Sequence, residues 1–561
     1  MNRIAFKIRR LWLRIGRRLK ANFYLYLAVL FTLAIIVDAL FFNITSGMKQ
    51  KSFDLMIKNR IMVSRPDPDI VIVDIDEASL AAMAGDYGRW PWPRQVMGEF
   101  LELIEQQHPK AVIFDVLFSD PDVFNPESDS YFNEAVASTD NTFFPLLRLD
   151  PASDHLSSLL PEQIPGATPV AGQESHDRPV AVVLPFLPAA QAGGRLGFHN
   201  IYPDEDGVAR QYPVRHLVHG WQIPSLPARV VEWLGGELPE RDAILLNWRG
   251  KPFTYRYVSF ADLFFDMTSK HRQRPANEFA GKLVIVGSSA AGLFDIKPTP
   301  MERLHPGVEI LATALDNLKH DDFLRVPDTT VVNLFLALII IWTTAIAMYR
   351  NIGQEKFASF YGASQFLLIG VSYASINLMN IYLNLTGPVM IGLAYFSGAR
   401  IYAMAARKIL EKSVVMSSIA ADGELYGAIM LIRFKGGGEF AGEKEVARIR
   451  RSLGRQGSQA KSVEVLKGGQ KGIWGLLEGV IAVSWTCQAE DGPGQALILR
   501  EAKTVEEISA QLWLADGGRP DAISFIFHQG RLAGGEQARA GWTMLFGEAL
   551  MRWQKTERRE A

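Results

Sequence analysis

Four long apolar runs set the terms on which this chain can fold. One is Phe23–Phe42 (FYLYLAVLFTLAIIVDALFF), and three more crowd together at Val331–Tyr349, Phe357–Met379 and Ile381–Met404. About 20 apolar residues cross a hydrocarbon core of about 30 Å, and a segment in lipid must satisfy its own backbone as helix. Each run is therefore expected to be a transmembrane helix. The segments between and after them have the mixed composition of water-soluble domains. The resulting order is a basic N-terminus (1–22), transmembrane helix 1 (23–42), a large soluble domain (47–325), transmembrane helices 2, 3 and 4 (331–349, 357–379 and 381–404) and a second soluble domain (410–561). The expected fold class is a multi-domain membrane protein: an α/β extracytoplasmic domain, one spanning helix before it and three after it, and an α/β sandwich in the cytoplasm.

The flanking charges orient this arrangement. Arg3, Lys7, Arg9, Arg10, Arg14, Arg17, Arg18 and Lys20 precede the first run without an acidic residue. Positive flanks stay cytoplasmic. Arg350 and Lys356 between the second and third runs, and Arg400, Arg407, Lys408 and Lys412 at and beyond the fourth, suit the same side. The uncharged turn around Asn380 suits the outside. Both termini are thus expected in the cytoplasm of an inner (plasma) membrane, with residues 47–325 outside. The first run is longer than the apolar core of a signal peptide and ends in Phe41, Phe42 and Asn43 rather than a small-residue cleavage site, which favours an uncleaved anchor. Asp38 near its outer end reads as a carboxylate close to headgroup water. Gly387 and Pro388 interrupt the fourth run and are expected to kink it.

The 561 residues carry a formal net charge of −1, so no basic field points to nucleic acid. The single cysteine, Cys487, follows an apolar run and reads as an inert core thiol. It excludes an intramolecular disulfide and a cysteine-based zinc cage.

In the outer domain, Ile70–Asp74, Ala111–Phe118, Val180–Leu184 and Leu283–Val286 read as strands, and Gln95–Gln106 and Val308–Leu318 as helices. Continuous apolar strands alternating with helices predict a sheet covered on both faces. Polar residues follow these strands: Asp74 and Asp76; Asp115, Ser119, Asp120 and Asp122; Gly287, Ser288 and Ser289, with Asp295 and Lys297 beyond. Ligands of open α/β sheets bind outside the carboxyl ends of the strands, so Asp74, Asp76, Asp115, Asp120, Ser288, Ser289 and Asp295 form a candidate sensor pocket. The competing reading is that they cap helices and close turns. Trp90–Pro93 reads as a stiff aromatic turn, with Arg94 opening a helix. Asp204, Asp206 and Gly207 read as a turn rather than a calcium loop, since a full EF-hand is absent, with Arg210 on the returning strand.

The strings VDIDEASL, GRWPWPR, AVIFDVLFSDPD, GFHNIYPDEDGVARQYP, GKLVIVGSSAAGLFDIKPTPM and PGVEILATALDNL occur in that order. Together they resemble the CHASE2 extracellular sensor domain, as does the layout of one anchor, the domain and three further spans. The resemblance implies a sensory role and leaves the ligand unnamed.

In the inner region, Tyr426–Phe434, Gly479–Trp485 and Ala522–Phe527 read as strands, and Glu443–Ser452 and Ala496–Leu512 as helices. His528, Gln529 and Gly530 are expected to close a turn, and Trp542–Phe546 to lead into a helix over Glu548–Lys555. The run GGGEF at Gly436–Phe440 lacks the long half-domain that a diguanylate cyclase loop needs before it. WGLLEGVIAVSW, ISFIFHQGRLAGG and WTMLFGEALMRWQKTE are similar to class III adenylate/guanylate cyclase domains. That resemblance also shows what is degenerate. Arg433 stands where the first metal-binding aspartate belongs, Glu478 stands at the second, Met551 at the transition-state asparagine and Lys555 at the transition-state arginine, with the adenine-selecting position near Gly541. A cation repels Mg²⁺, and a thioether donates no hydrogen bond.

These observations predict a transmembrane signalling receptor that senses an extracytoplasmic stimulus and relays it to a catalytically silent, cyclase-like domain. No catalytic residue, metal or cofactor is assigned; enzyme activity is left open, with the balance toward none. The alternatives are an active class III cyclase with drifted motifs and a non-sensing membrane docking subunit. The expected partners are the membrane, an unidentified extracytoplasmic ligand, and a second copy or another cyclase-like or signalling protein in a dimer. Nucleic acid is not among them.

Overall fold

The structure is a computed structural model that describes residues 23–38, 46–192, 194–293, 295–349, 354–413, 425–434, 447–451, 460–466, 480–515, 523–532, 541–542, 544–549 and 552. In chain order the elements used below are α1 (Phe23–Val37), α2 (Ser46–Lys58), β1 (Ile70–Asp74), α3 (Glu77–Tyr87), α4 (Arg94–Glu105), β2 (Ala111–Phe114), α5 (Pro126–Ala137), β3 (Thr142–Arg148), β4 (Val182–Val183), β5 (Leu196–Phe198), α6 (Leu226–Trp233), β6 (Arg256–Ser259), α7 (Phe260–Thr268), β7 (Leu283–Gly287), α8 (Gly307–His320), α9 (Thr330–Tyr349), α10 (Gln354–Met379), α11 (Thr386–Ser413), β8 (Leu425–Phe434), β9 (Ala460–Leu466), β10 (Val480–Gln488), α12 (Gly492–Ala515) and β11 (Ile523–Leu532). They fall into two compact units, one of residues 37–337 and 358–390, the other of 1–36, 338–357 and 391–561.

The first unit is built on a sheet of order β6-β1-β7-β2-β3-β4, with β5 also paired to β3. All neighbours are parallel except β3 and β4. Alternation along the strands explains why both faces are covered. Val71, Val73, Val112, Phe114, Val284 and Val286 point into one core with Phe100 and Leu101 of α4, Phe132 of α5 and Phe260 and Phe264 of α7. Ile70, Ile72, Ile113, Leu283 and Ile285 point into the opposite core with Phe53 and Ile57 of α2, Leu226 and Val230 of α6, and Ile310, Leu311 and Leu315 of α8. Trp92 of the aromatic turn is 2% exposed and packs on Phe260, with ring centroids 5.3 Å apart.

Two strands are shorter than the apolar runs predict. β2 ends at Phe114 because Asp115, though its N–H still bonds Val286 O at 2.7 Å, turns its carboxylate toward His199. Of Val180–Leu184 only Val182 and Val183 pair, at the edge of the sheet against β3.

The expected turn at 204–207 forms, with Gly207 at φ 80° and its N–H bonded to Asp204 O at 2.8 Å. Its carboxylates are occupied. Arg210, with a side chain 2% exposed, donates to Asp204 (2.7 Å), to Asp206 (2.6 Å) and, through Nε and Nη2, to both oxygens of Asp54 on α2 (2.7 Å each). One guanidinium thus ties α2 to the body of the domain.

Among the described residues, α9 is the one helix both long and apolar enough to cross a membrane; α1 is apolar but has 15 described residues. α10 and α11 are long, at 26 and 28 residues, but carry more polar and small side chains. α11 also begins later than the fourth apolar run. Residues 380–382 are held by Arg325, whose N–H bonds Asn380 O and whose carbonyl accepts from Tyr382 N, each at 2.9 Å. Pro388 therefore lies in the first turn of α11, where its missing N–H costs nothing, and the expected mid-span kink is replaced by a helix start.

In the second unit, α1 packs through Phe23 stacked on Tyr402, and Tyr395 OH donates to Tyr24 O at 2.8 Å. The rest is a four-stranded antiparallel sheet of order β9-β10-β8-β11. Ala428, Met430 and Ile432 face α12 through Ile498, Ala502 and Val505, while Ile429 and Leu431 face Trp542, Leu545 and Phe546. Trp485 Nε1 donates to Glu501 Oε2 at 2.8 Å inside the α12 core. Cys487 is buried, and burial raises its thiol. Two expectations are corrected here. β11 runs through His528, Gln529 and Gly530 to Leu532, because β8 pairs with it over its whole length. The stretch from Trp542 is helical where described, its apolar residues filling one face of the sheet rather than extending it.

The Arg210 clasp makes a stability prediction. Replacing Arg210 with Met leaves three carboxylates without their cation and is expected to destabilise the purified full-length protein by about 2–3 kcal/mol. The bond from Arg210 holds Asp206 below the usual carboxylate range. That contribution is present above about pH 4 and is lost as pH falls through the lowered value, so the variant should also show a flatter acid limb in thermal unfolding below pH 4.

Candidate functional site

The carboxyl ends of β1, β7 and β2 lie side by side, as the order of the sheet requires. Most of the polar residues there stitch the fold together. Asp74, 5% exposed, accepts from Ser289 N at 2.7 Å and from Ser289 Oγ, and burial raises its carboxyl above the ordinary value. Ser288 Oγ donates to Ile75 O at 2.7 Å. Asp76 is the N-cap of α3, accepting from Ser79 N at 2.7 Å. Asp120 is exposed and accepts from Ser119 Oγ, while Asp122 closes its own loop on Phe124 and Asn125. These side chains do the capping and turn work that was the competing reading.

Asp115 and Asp295 stand apart. They line a cavity of about 180 Å³ together with Leu147, His199, Asn200, Ile201, Tyr212, Lys297, Gly307 and Leu311. The Asp115 side chain is 1% exposed, and His199 Nδ1 lies 2.8 Å from its Oδ1. That approach is out of line for a hydrogen bond, and neither Asp115 oxygen has an aligned donor. Lys297 Nζ is 3.8 Å from Asp295 Oδ1 at the rim. Asn200 is fixed by a reciprocal pair with the Arg148 backbone, at 2.8 and 2.9 Å. Burial and the neighbouring Asp115 push the Asp295 carboxyl up to about 6. Burial opposes a charge on His199, but Asp115, with Asp295 behind it, outweighs burial and raises the imidazole above its ordinary value.

Two glycines make this geometry possible. A Cβ on Gly307, the first residue of α8, would fall 2.1 Å from Asp295 Oδ2. A Cβ on Gly287, the last of β7, would fall 2.6 Å from Val308 Cγ2 and 3.1 Å from Asp115 Cβ. The start of α8 is thereby seated directly against both carboxylates.

The other end of α8 is tied elsewhere. Arg249 forks onto Asp316 (2.8 and 2.9 Å) and Asp322 (2.8 Å twice). Asn317 Oδ1 accepts from Asn247 N at 2.7 Å; Asn247 Oδ1 accepts from Arg60 Nη1 at 2.5 Å; and Arg60 Nη2 donates to Asn380 Oδ1 at 2.6 Å. Asn377 Oδ1 accepts from Ile61 and Met62 N at 2.9 and 3.0 Å. The turn between α10 and α11 is thus bonded to the domain that holds the cavity. Asp67, Asp316 and His320 bring three potential metal ligands together among the described residues, but Arg249 and Lys319 already fill that space.

Sequence reasoning found Asp115, Asp295 and Lys297 and missed His199, Asn200 and Tyr212. The first two sit in the string GFHNIYP, where nothing in spacing alone marks them. Arg433 lies near the end of β8, opposite Val480 and Ser524; Glu478, Met551, Lys555 and the GGGEF run lie outside the described residues.

The raised carboxyl of Asp295 has a signed consequence. The folded state keeps that proton between about pH 4 and 6 after the unfolded state has lost it, so it draws stability down as pH rises across that window. Asp295→Asn is expected to flatten that descent, read from thermal midpoints of the full-length protein at pH 4, 5, 6 and 7. Equal slopes would contradict the assignment.

No curated protein and no solved structure matches the chain. The CHASE2 domain model matches residues 28–349, more than half of its length. The chain belongs to the CHASE2 domain family, whose members carry this domain as a sensory module of signalling proteins.

Proposed function

We propose that this protein is a transmembrane receptor whose extracytoplasmic CHASE2 domain senses a stimulus at the Asp115–Asp295 cavity and passes it through the membrane to a cytoplasmic cyclase-like domain without catalysis of its own. One observation carries the reading. α8 begins at the cavity with Gly307 and ends in the network that holds Asn380. Its 14 residues make a rigid rod of about 20 Å. A ligand that shifts Asp295 or Asp115 moves the start of a helix whose far end is bonded to the turn between two long helices.

The same bonds support the four-span topology. The turn at Asn380 shares the side of the large domain, so α10 and α11 approach and leave the membrane from that side. α11 then runs unbroken to Ser413. Helices α9, α10 and α11 with α1 supply the four spans, leaving residues 1–22 and 410–561 inside. For the inner domain, the four-stranded sheet with α12 packed on it supports the cyclase-like reading, in which Arg433 would stand where metal chemistry needs a carboxylate. Pairing with a second copy or another signalling chain would then be the readout.

Topology is tested with single cysteines in a Cys487→Ser background. Phe124→Cys, at a position 99% exposed, is expected to react with a membrane-impermeant maleimide on right-side-out vesicles, and Met544→Cys, 66% exposed, only after permeabilisation. Equal labelling of both before permeabilisation would overturn the reading. Silence is tested by incubating the full-length protein with ATP or GTP and Mg²⁺ or Mn²⁺. The expected result is no cyclic nucleotide above the blank, and steady production would refute the silent relay.

A further inference from the structure

We infer that the Asp115–Asp295 cavity takes a small molecule presenting a protonated primary amine. This rests on the sensory reading of the cavity and names the ligand's chemistry. Asp115 is a nearly fully buried carboxylate whose two oxygens lack aligned donors, and it faces the cavity. His199 Nδ1, 2.8 Å from Asp115 Oδ1, answers its charge but donates no aligned N–H; a buried carboxylate needs donors, and an ammonium group brings three. Asp295, also lining the cavity, adds a second acceptor, with Lys297 Nζ 3.8 Å from its Oδ1 at the rim.

The alternatives fit less well. A bare anion would have to settle between Asp115 and Asp295, with His199 and Lys297, each already beside one of these carboxylates, as its only cationic partners in the lining. A divalent cation needs converging ligand atoms, and among the described residues those converge at Asp67, Asp316 and His320 instead. A quaternary ammonium wants an aromatic cage, and Tyr212 is the only phenyl-type ring in the lining besides the His199 imidazole. Size sets the scale: at about 30 Å³ for each displaced water, 180 Å³ holds a molecule of only about six to eight non-hydrogen atoms. The free second N–H of Asn200 and the ammonium of Lys297 are placed to meet an acceptor at the ligand's other end, as in an amino alcohol or a small amino acid.

The test is binding to the full-length protein in detergent or nanodiscs, by calorimetry with a parallel thermal-shift readout. The probes are ethanolamine, glycine and serine as primary amines, choline as a quaternary amine, acetate and phosphate as anions, and Mg²⁺ and Ca²⁺. At least one primary amine is expected to bind, with choline, anions and metals not binding. Asp115→Asn keeps the shape and removes the charge, and is expected to weaken binding roughly tenfold to hundredfold; Asp295→Asn at the rim serves as a second variant should the first fail to fold. Binding of an anion or metal but no amine would overturn the ligand class while sparing the cavity as a sensory site. Amine binding unchanged in both variants would place the amine elsewhere and overturn the inference. No binding by any probe would overturn this inference and remove the support it lends to the sensory reading, whereas the topology and relay would still stand or fall on the cysteine labelling.

Discussion

The fork of Arg249 onto Asp316 and Asp322 is the contact on which the rest of this domain depends. Arg249 and Asp316 are 2% and 1% exposed, so each would be expensive to bury alone. Burial works against the charge on Arg249, and the two carboxylates more than offset it and raise the guanidinium further. Tyr255 OH and the N–H of Asp67 also donate to Asp316, and His320 Nδ1 lies 3.0 Å from its Oδ1. The end of α8 is fixed in place by this set, and Asn317, one residue on, is thereby positioned to receive Asn247. Asn247 in turn receives Arg60, whose other terminal nitrogen holds Asn380.

A second guanidinium secures the other side of the cavity. Arg210 lies two residues from Tyr212, which lines the cavity, and its neighbour Ala209 donates to the carbonyl of Pro298, next to Lys297 at the rim. The same Arg210 grips Asp54 on α2, the helix that follows the first apolar run. The cavity is therefore lined by Tyr212 on one side and by the start of α8 on the other, and each of these segments is tied by an arginine to a segment next to an apolar helix. Coupling of this kind needs no wire of contacts. It needs a stiff element that reaches from the cavity to the segments it would move, and α8 has that form.

Much of this was legible from residues alone, for a physical reason. Ile70–Asp74 and Leu283–Gly287 are continuous apolar runs because both faces of a parallel sheet are buried, and buried strands announce themselves. The turn at Asp204–Gly207 and the helix starting at Arg94 followed from turn and proline chemistry. What stayed hidden is what depends on long-range pairing. His199 meets Asp115 across 84 positions of chain, and no local pattern ties them. The capping roles of Asp74, Asp76 and Ser289 and the cavity role of Asp115 and Asp295 look alike in sequence, since all are polar residues after strands; only the third dimension separates those that found donors from those that did not. The extension of β11 through His528–Gly530 was missed because a glycine beside polar residues signals a turn, while pairing with β8 overrides that signal.

That separation is itself the strongest argument for where the domain acts. Several other buried charges are answered generously: Arg249 by two carboxylates, Arg210 by three, Glu309 by the N–H groups of Phe253 and Thr254 and the hydroxyl of Tyr257. Asp115 is, among the described residues, the buried carboxylate left with neither oxygen in an aligned hydrogen bond. His199 Nδ1 lies 2.8 Å from it without an aligned bond, so Asp115 contributes less to the fold than these answered charges do. Local conflict with the rules of folding concentrates at functional sites. Here the conflict sits at the mouth of α8, where relieving it would tighten the seating of a helix that reaches from the cavity to the network holding the α10–α11 turn.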